Sequence, residues 1–181
     1  MEELLRRQED VRMAAHSGRV FELASRVGRM LGLSGDALHD VTLVALLHDV
    51  GELAVPEELL TEKGALSDEE WGVVSAHVIH GEKMVAAVTD TAHLASAVRA
   101  THERWDGAGY PDGLAGDEIP LASRITSVCD AYDAMTSVRP YRATLSPDAA
   151  LAEIRREAGR QFCPEAAKAL IAVIGGAAEP I

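Results

Sequence analysis

The sequence is short of cysteine, of aromatic side chains and of positive charge, and each shortage closes off a class of protein. Its 181 residues include two cysteines, Cys129 and Cys163. Two thiols in a chain of this size make no disulfide framework, and nothing marks them as a zinc pair. Cys129 lies in the mainly apolar stretch 125–135 and reads as a small core residue. Aromatics are 4% of the chain, while Ala, Leu and Val dominate, which favours helices packed through aliphatic faces. Lys and Arg number 17 against 29 Asp and Glu, a formal net charge of −12. Duplex nucleic acid requires clustered cations, and so does an anionic membrane surface. A small phosphate substrate stays open, because bound divalent metals reverse the local field. No uninterrupted apolar stretch is long enough to span a bilayer. Residues 1–12 are charged and lack the apolar segment of a signal peptide. The expected setting is therefore the reducing cytoplasm, with no membrane and no nucleic-acid duplex as partner.

What is present suits one folded unit. Hydrophobic residues at 48% and charged residues at 25% are the balance of a globular chain with a single core, so residues 1–181 are expected to form one domain. There is no internal repeat or low-complexity tract. Apolar residues recur at helical spacing over residues 2–31: Val11, Ala14, Ala15, Val20, Leu23, Ala24, Val27 and Leu31. Gly32 ends that segment and Ser34 can cap the next, which closes with an apolar run into His48. Pro56 opens a short helical turn. Ser67 followed by Asp68, Glu69 and Glu70 marks a strong helix start, for a helix carrying His77 to about residue 87. Further helices are expected over residues 92–104 and 120–135, and from Ser146-Pro147 and Pro164. Residues 105–113, with three glycines and a proline, should be irregular. No segment reads as a strand. The expectation is an all-α domain of about seven or eight helices.

The chemistry lies in scattered histidines and aspartates. His48-Asp49 follows an apolar helix segment, and Gly51 allows a sharp turn after it. An imidazole beside a carboxylate is a donor pair that a divalent metal can use. Alone, the pair reads more simply as a core histidine satisfied by its neighbour. His16, His77, His102 and Asp130 alter that balance. Asp130 sits within a mainly apolar helix, where a lone carboxylate is costly to bury unless it is paired or ligates a metal. Four histidines and two aspartates on five segments suffice for two metals. With no thiolate among them, iron, manganese, zinc or nickel fits and a structural zinc finger does not. His39, His80 and His93 read as surface residues.

These residues fall in an ordered pattern: His16…Arg19, His48-Asp49-Val50-Gly51, His77, then His102-Glu103-Arg104-Trp105-Asp106-Gly107-Ala108-Gly109-Tyr110-Pro111. The pattern continues with residues 119–125, Asp130-Ala131-Tyr132-Asp133-Ala134-Met135, Arg139-Pro140-Tyr141-Arg142 and Gly159-Arg160-Gln161-Phe162. In that order they resemble the HD superfamily of metal phosphohydrolases, and more closely its HD-GYP branch. The resemblance implies an HD-domain helical bundle that hydrolyses cyclic di-GMP with a metal-activated hydroxide. It implies two divalent ions, iron or manganese first, with zinc, nickel or magnesium as further candidates. His16, His48, Asp49 and Asp130 would hold one ion, and Asp49 would bridge to a second held by His77 and His102. His48 and Asp49 are the catalytic pair in this reading. Gly109, Tyr110, Pro111, Arg124 and Arg139 would bind substrate: glycines by close backbone approach to phosphate, Tyr110 by stacking on a purine, the arginines by gripping phosphate. Trp105 could also stack, although it packs the loop onto the core more simply.

Three positions depart from the branch. Thr101 stands where a second histidine is usual. Arg12 stands where some members have a glutamate for a third metal. Glu52 replaces a usual lysine close to the scissile phosphate, which should weaken transition-state stabilisation. The runner-up readings are an HD phosphohydrolase for another nucleotide or phosphoester, and a catalytically weak nucleotide-binding module. Members of the branch are commonly fused to sensor or receiver domains, so such a domain in a longer protein is an expected partner. The charged first helix could pair with a copy of itself as a homodimer.

Overall fold

The structure is a computed structural model, and it describes residues 2–62, 64–137 and 144–176, with the side chains of residues 2–12 outside that description. Among the described residues there are nine α-helices and no strand: α1 Glu2–Met30, α2 Gly35–Leu47, α3 Glu57–Leu60, α4 Asp68–Ser75, α5 His77–Ala86, α6 Ala95–Arg99, α7 Leu121–Thr136, α8 Pro147–Glu157 and α9 Pro164–Ile174. Short 3-10 turns lie at Val50–Ala54, Ala92–Leu94 and Gly116–Glu118.

The main core forms where the apolar stripes of five helices meet. On α1 the fully buried positions are Val20, Ala24 and Val27, spaced four and three apart, as one helical face requires. On α7 the buried apolar positions are Ile125, Val128, Cys129, Tyr132 and Met135, which repeat the same spacing. Val41 and Ala45 of α2, Ala150, Leu151 and Ile154 of α8, and Ala166, Leu170 and Val173 of α9 close over them. A smaller cluster joins Val44 of α2 to Val85 of α5 and to Leu94, Ala97 and Val98 around α6. Helix α2 therefore serves both clusters, and its C-terminal end, where His48 stands, lies between them. Both cysteines are free and buried. No helix among the described residues is long and apolar enough to cross a membrane.

Two expected helices differ from the reading of the sequence. The segment starting at Ser67 does begin with a capping box, Ser67 and Glu70 satisfying each other's backbone N–H groups. It breaks at Ala76, however, and His77 opens a new helix. Nothing in Ser75-Ala76 disfavours a helix by propensity. The break follows from a tertiary contact, because α5 begins flush against the turn Val50–Ala54. The segment after Thr91 ends its regular helix at Arg99, five residues early, and His102 stands in the turn beyond it. Ser34 takes the N-cap position of α2, but its hydroxyl makes no capping bond.

Candidate metal centre

Three of the four histidines of the cluster, His16, His48 and His77, have one ring nitrogen anchored by the fold. His48, at the C-terminal end of α2, directs Nδ1 to the carbonyl of Ala45 at 2.8 Å. His77, at the start of α5, directs Nδ1 to the carbonyl of Val74 at 2.9 Å. A carbonyl only accepts, so Nδ1 is the donor in both rings, and in the neutral imidazole Nε2 carries the lone pair. His16 uses Nδ1 against Oδ2 of Asp133, 2.7 Å away. Asp133 is held in turn by Arg19, whose Nε and Nη2 donate to its two oxygens at 2.6 and 3.0 Å. Burial alone would raise the pKa of Asp133, but His16, Arg19 and Ser137 hold it well below the usual carboxylate range.

The free nitrogens converge on Asp49. Its Oδ2 lies 3.1 Å from Nε2 of His48 and 3.7 Å from Nε2 of His16. Its Oδ1 lies 3.8 Å from Nε2 of His77 and 3.7 Å from Nε2 of His102. Asp130 joins the first side, its Oδ1 being 3.2 Å from His16 Nε2 and 4.0 Å from His48 Nε2. Two groups of donors result, His16–His48–Asp49 and Asp49–His77–His102, each with its donor atoms within 4.8 Å of one another. A cation bound at about 2.0–2.2 Å from each donor fits such a spacing. The structure thus brings together all six residues that the sequence nominates as ligands.

The polar bookkeeping points to a cation as well. Nε2 of His48, His77 and His102 is buried and has no hydrogen-bond partner. Buried nitrogens in this condition are uncommon, and cations in the two donor groups would satisfy all three. The protonation states agree. Burial opposes a charge on His16 and His48, yet the carboxylates of Asp130, Asp133 and Asp49 push His16 up to about 9, and Asp49 and Asp130 push His48 to the same level. Burial works the other way on Asp49, but His48 and His102 keep it well below its ordinary value. Burial and the neighbouring His102 lower the pKa of His77. The pocket's carboxylates call for positive charge, and without metal only protons supply it.

Gly51 sets the distance between the two halves. A Cβ at this position would lie 1.9 Å from the carbonyl oxygen of His77 and 2.5 Å from the backbone nitrogen of Gly81. The expectation was a glycine needed for a sharp turn, but Gly51 has no left-handed backbone. It is glycine because the Asp49 turn and helix α5 touch there, backbone to backbone.

The loop 105–113 is irregular, as expected, but its N–H groups are largely spent on other groups of the chain. Glu103 is buried, and its Oε1 accepts from the N–H groups of Asp112 and Gly113 at 2.7 and 3.0 Å. Gly107 donates to the carbonyl of Arg104, and Tyr110 to that of His102. Arg99 grips Asp112 bidentately and also Glu82 of α5, which ties the loop down. Gly109 packs against the backbone of Glu103 and Arg104, where a Cβ would approach to 2.4 Å. The Tyr110–Pro111 peptide is cis. The Tyr110 ring lies flat on His102, 5.2 Å between centroids at 6°.

Other nominated residues lie elsewhere. Arg124 is paired with Asp117 at 2.7 Å, and its guanidinium covers Trp105. Trp105 packs against the main core. Thr101 is buried, with its hydroxyl donating to the carbonyl of Val98, and so offers no replacement ligand. Arg139 lies outside the described residues. Glu52 is half-buried beside the cluster, and burial, then repulsion from Asp49, pushes it up to about 7. The sequence reading assigned no role to Asp133 or Glu103. Asp133 follows Asp130 by three residues, on the same face of α7, which was the available signal. Glu103 could not be singled out, because its partners are backbone groups.

A family model described as "HD domain" matches residues 1–165. The chain is 38% identical over 155 residues to the "Cyclic di-GMP phosphodiesterase response regulator RpfG" of Xanthomonas campestris pv. campestris, covering 84% of this chain and 41% of that protein. It is likewise 38% identical over 157 residues to the "3'3'-cGAMP-specific phosphodiesterase 3" of Vibrio cholerae, covering 87% of this chain and 34% of that protein. Among solved structures, the HDG"Y"P protein Bd1817 from Bdellovibrio bacteriovorus superposes with a TM-score of 0.71 at 21% identity, over 91% of this chain and 53% of that one. The chain spans less than half the length of these two curated relatives.

Proposed function

Because the chain belongs to the HD domain family, in its HD-GYP branch, we propose that it hydrolyses a cyclic dinucleotide, cyclic di-GMP first, at a two-metal centre. The observation that carries this reading is Asp49, whose two oxygens face separate pairs of histidines. That arrangement would suit one carboxylate shared by two ions. His16, His48, Asp49 and Asp130 would hold one ion, and Asp49, His77 and His102 the other. Nitrogen and oxygen donors without thiolate suit iron or manganese, with zinc, nickel or magnesium as alternatives. When bound, the ions supply an activated water and neutralise charge on the phosphoryl oxygens.

The residues of the chain do the rest. Asp133 and Arg19 fix the His16 ring so that Nε2 points inward. The Ala45 and Val74 carbonyls do the same for His48 and His77. Tyr110 shields the outer face of His102 and borders the place where a base would lie. The names of the relatives cover both cyclic di-GMP and 3'3'-cGAMP, which supports the substrate class. One relative is named a response regulator, which supports a receiver domain as partner in a longer protein. Two free buried thiols accord with a cytoplasmic setting.

Glu52 favours a second reading, a nucleotide-binding module of weak turnover, since it adds an acid beside an anionic substrate. One experiment decides. Metal content and cyclic di-GMP turnover are measured under reducing conditions for the wild-type chain and for Asp49→Ala. Turnover should fall by at least ~10³-fold together with the metal. Equal turnover in the variant rejects the mechanism, and tight binding without turnover in the wild type favours the weak module.

A further inference from the structure

Helix α4 buries none of its residues. Its capping box holds it, and it packs only lightly on α3 and α5. Such a helix adds nothing to either core and has no folding need for a tryptophan. Yet Trp71 stands at its middle with 49% of its surface exposed. The ring is positioned: it meets Tyr110 edge to face, 5.6 Å between centroids at 78°. Tyr110 lies flat on His102 and 6.4 Å from the ring of His77. Three rings therefore step outward from the metal-facing imidazole to solvent: His102, Tyr110, Trp71. The other tryptophan, Trp105, is covered by Arg124 and packed on the core.

We infer that Trp71, with Tyr110, forms a subsite for a purine base of the substrate, Trp71 being the outer stacking surface. The inference rests on the phosphodiesterase reading and adds to it the place of the base. In a cyclic dinucleotide each base hangs from a ribose joined directly to the scissile phosphate. A phosphate held over Asp49 thus carries a base one nucleoside away, the direction in which the aromatic steps lead. Stacking on an indole is tolerant of base identity and is worth roughly tenfold in affinity or more per base.

The chain has two tryptophans, so Trp105→Phe leaves Trp71 as the sole indole reporter. Titration of that variant with the phosphorothioate analogue of cyclic di-GMP should quench its fluorescence. Trp71→Ala should raise KM for cyclic di-GMP about tenfold, with the loss carried by KM rather than kcat, while Trp71→Phe recovers most of it. Melting temperature and metal content should match the wild type in both variants. An unaltered KM in Trp71→Ala, an absence of quenching, or a fall in kcat that tracks lost metal would overturn the subsite. Quenching without wild-type turnover would sink the phosphodiesterase reading and leave the subsite standing.

Discussion

Glu52 stands three residues beyond Asp49, and among the described residues its carboxylate makes no hydrogen bond or ion pair. It faces Asp49 across a half-buried pocket that must also admit an anionic phosphodiester. Replacing it with a cation removes one repulsion and adds an attraction. Glu52→Lys should therefore raise kcat/KM for cyclic di-GMP by about threefold or more, measured at saturating metal. A fall would mean that Glu52 supports the ions. At this scale the sequence revealed chemistry better than wiring. His48-Asp49 was legible because the two donors are adjacent and their types are those metals take. The grip of Asp133 on His16, the loop-shaping of Glu103 and the pairing of Arg124 with Asp117 were not. Each depends on which ring, N–H or acid the fold brings opposite, and residue type does not encode that.

Among the elements, the contact between the turn Val50–Ala54 and helix α5 determines whether the two halves of the centre meet. Gly51→Ala would force a methyl into the His77 carbonyl and push α5 away from Asp49. The variant should lose about 3 kcal/mol or more of stability and bind fewer ions per chain. Urea denaturation and metal analysis read the two effects, and wild-type values in both would contradict the backbone contact. Most helices were readable from apolar spacing and from caps such as Ser67 and Ser146, because packing and propensity agree there. The break at Ala76 and the early end of α6 were not readable, since propensity alone would continue both helices. The break leaves His77 at a helix start and the early end leaves His102 in a turn, and the ring of each faces Asp49.

At the scale of the whole molecule, the centre ties α1, α2, α5, α7 and the turn after α6 together, so its charge state bears on the stability of the fold. In the metal-stripped chain, His16 and His48 titrate near 9 against an ordinary 6.5. Stabilisation from their protonated forms is complete below about pH 6.5 and fades as pH climbs through 9. Metal binding requires the same rings unprotonated, so its contribution grows over that window. The difference in melting temperature between metal-loaded and chelator-treated protein should widen steadily from pH 6.5 to 9. A constant difference would show that these rings carry no proton in the stripped state.

The stretch from Pro56 to Ala76 joins two ligand-bearing turns, yet α3 and α4 bury no side chain. Away from the Ser67–Glu70 capping box, substitutions there cost little stability, while the ligands on either side are pinned. This short excursion can therefore be redrafted with the reaction centre passed on intact. A directed-evolution library aimed at the outer stacking surface belongs in those residues rather than in the helices beneath them.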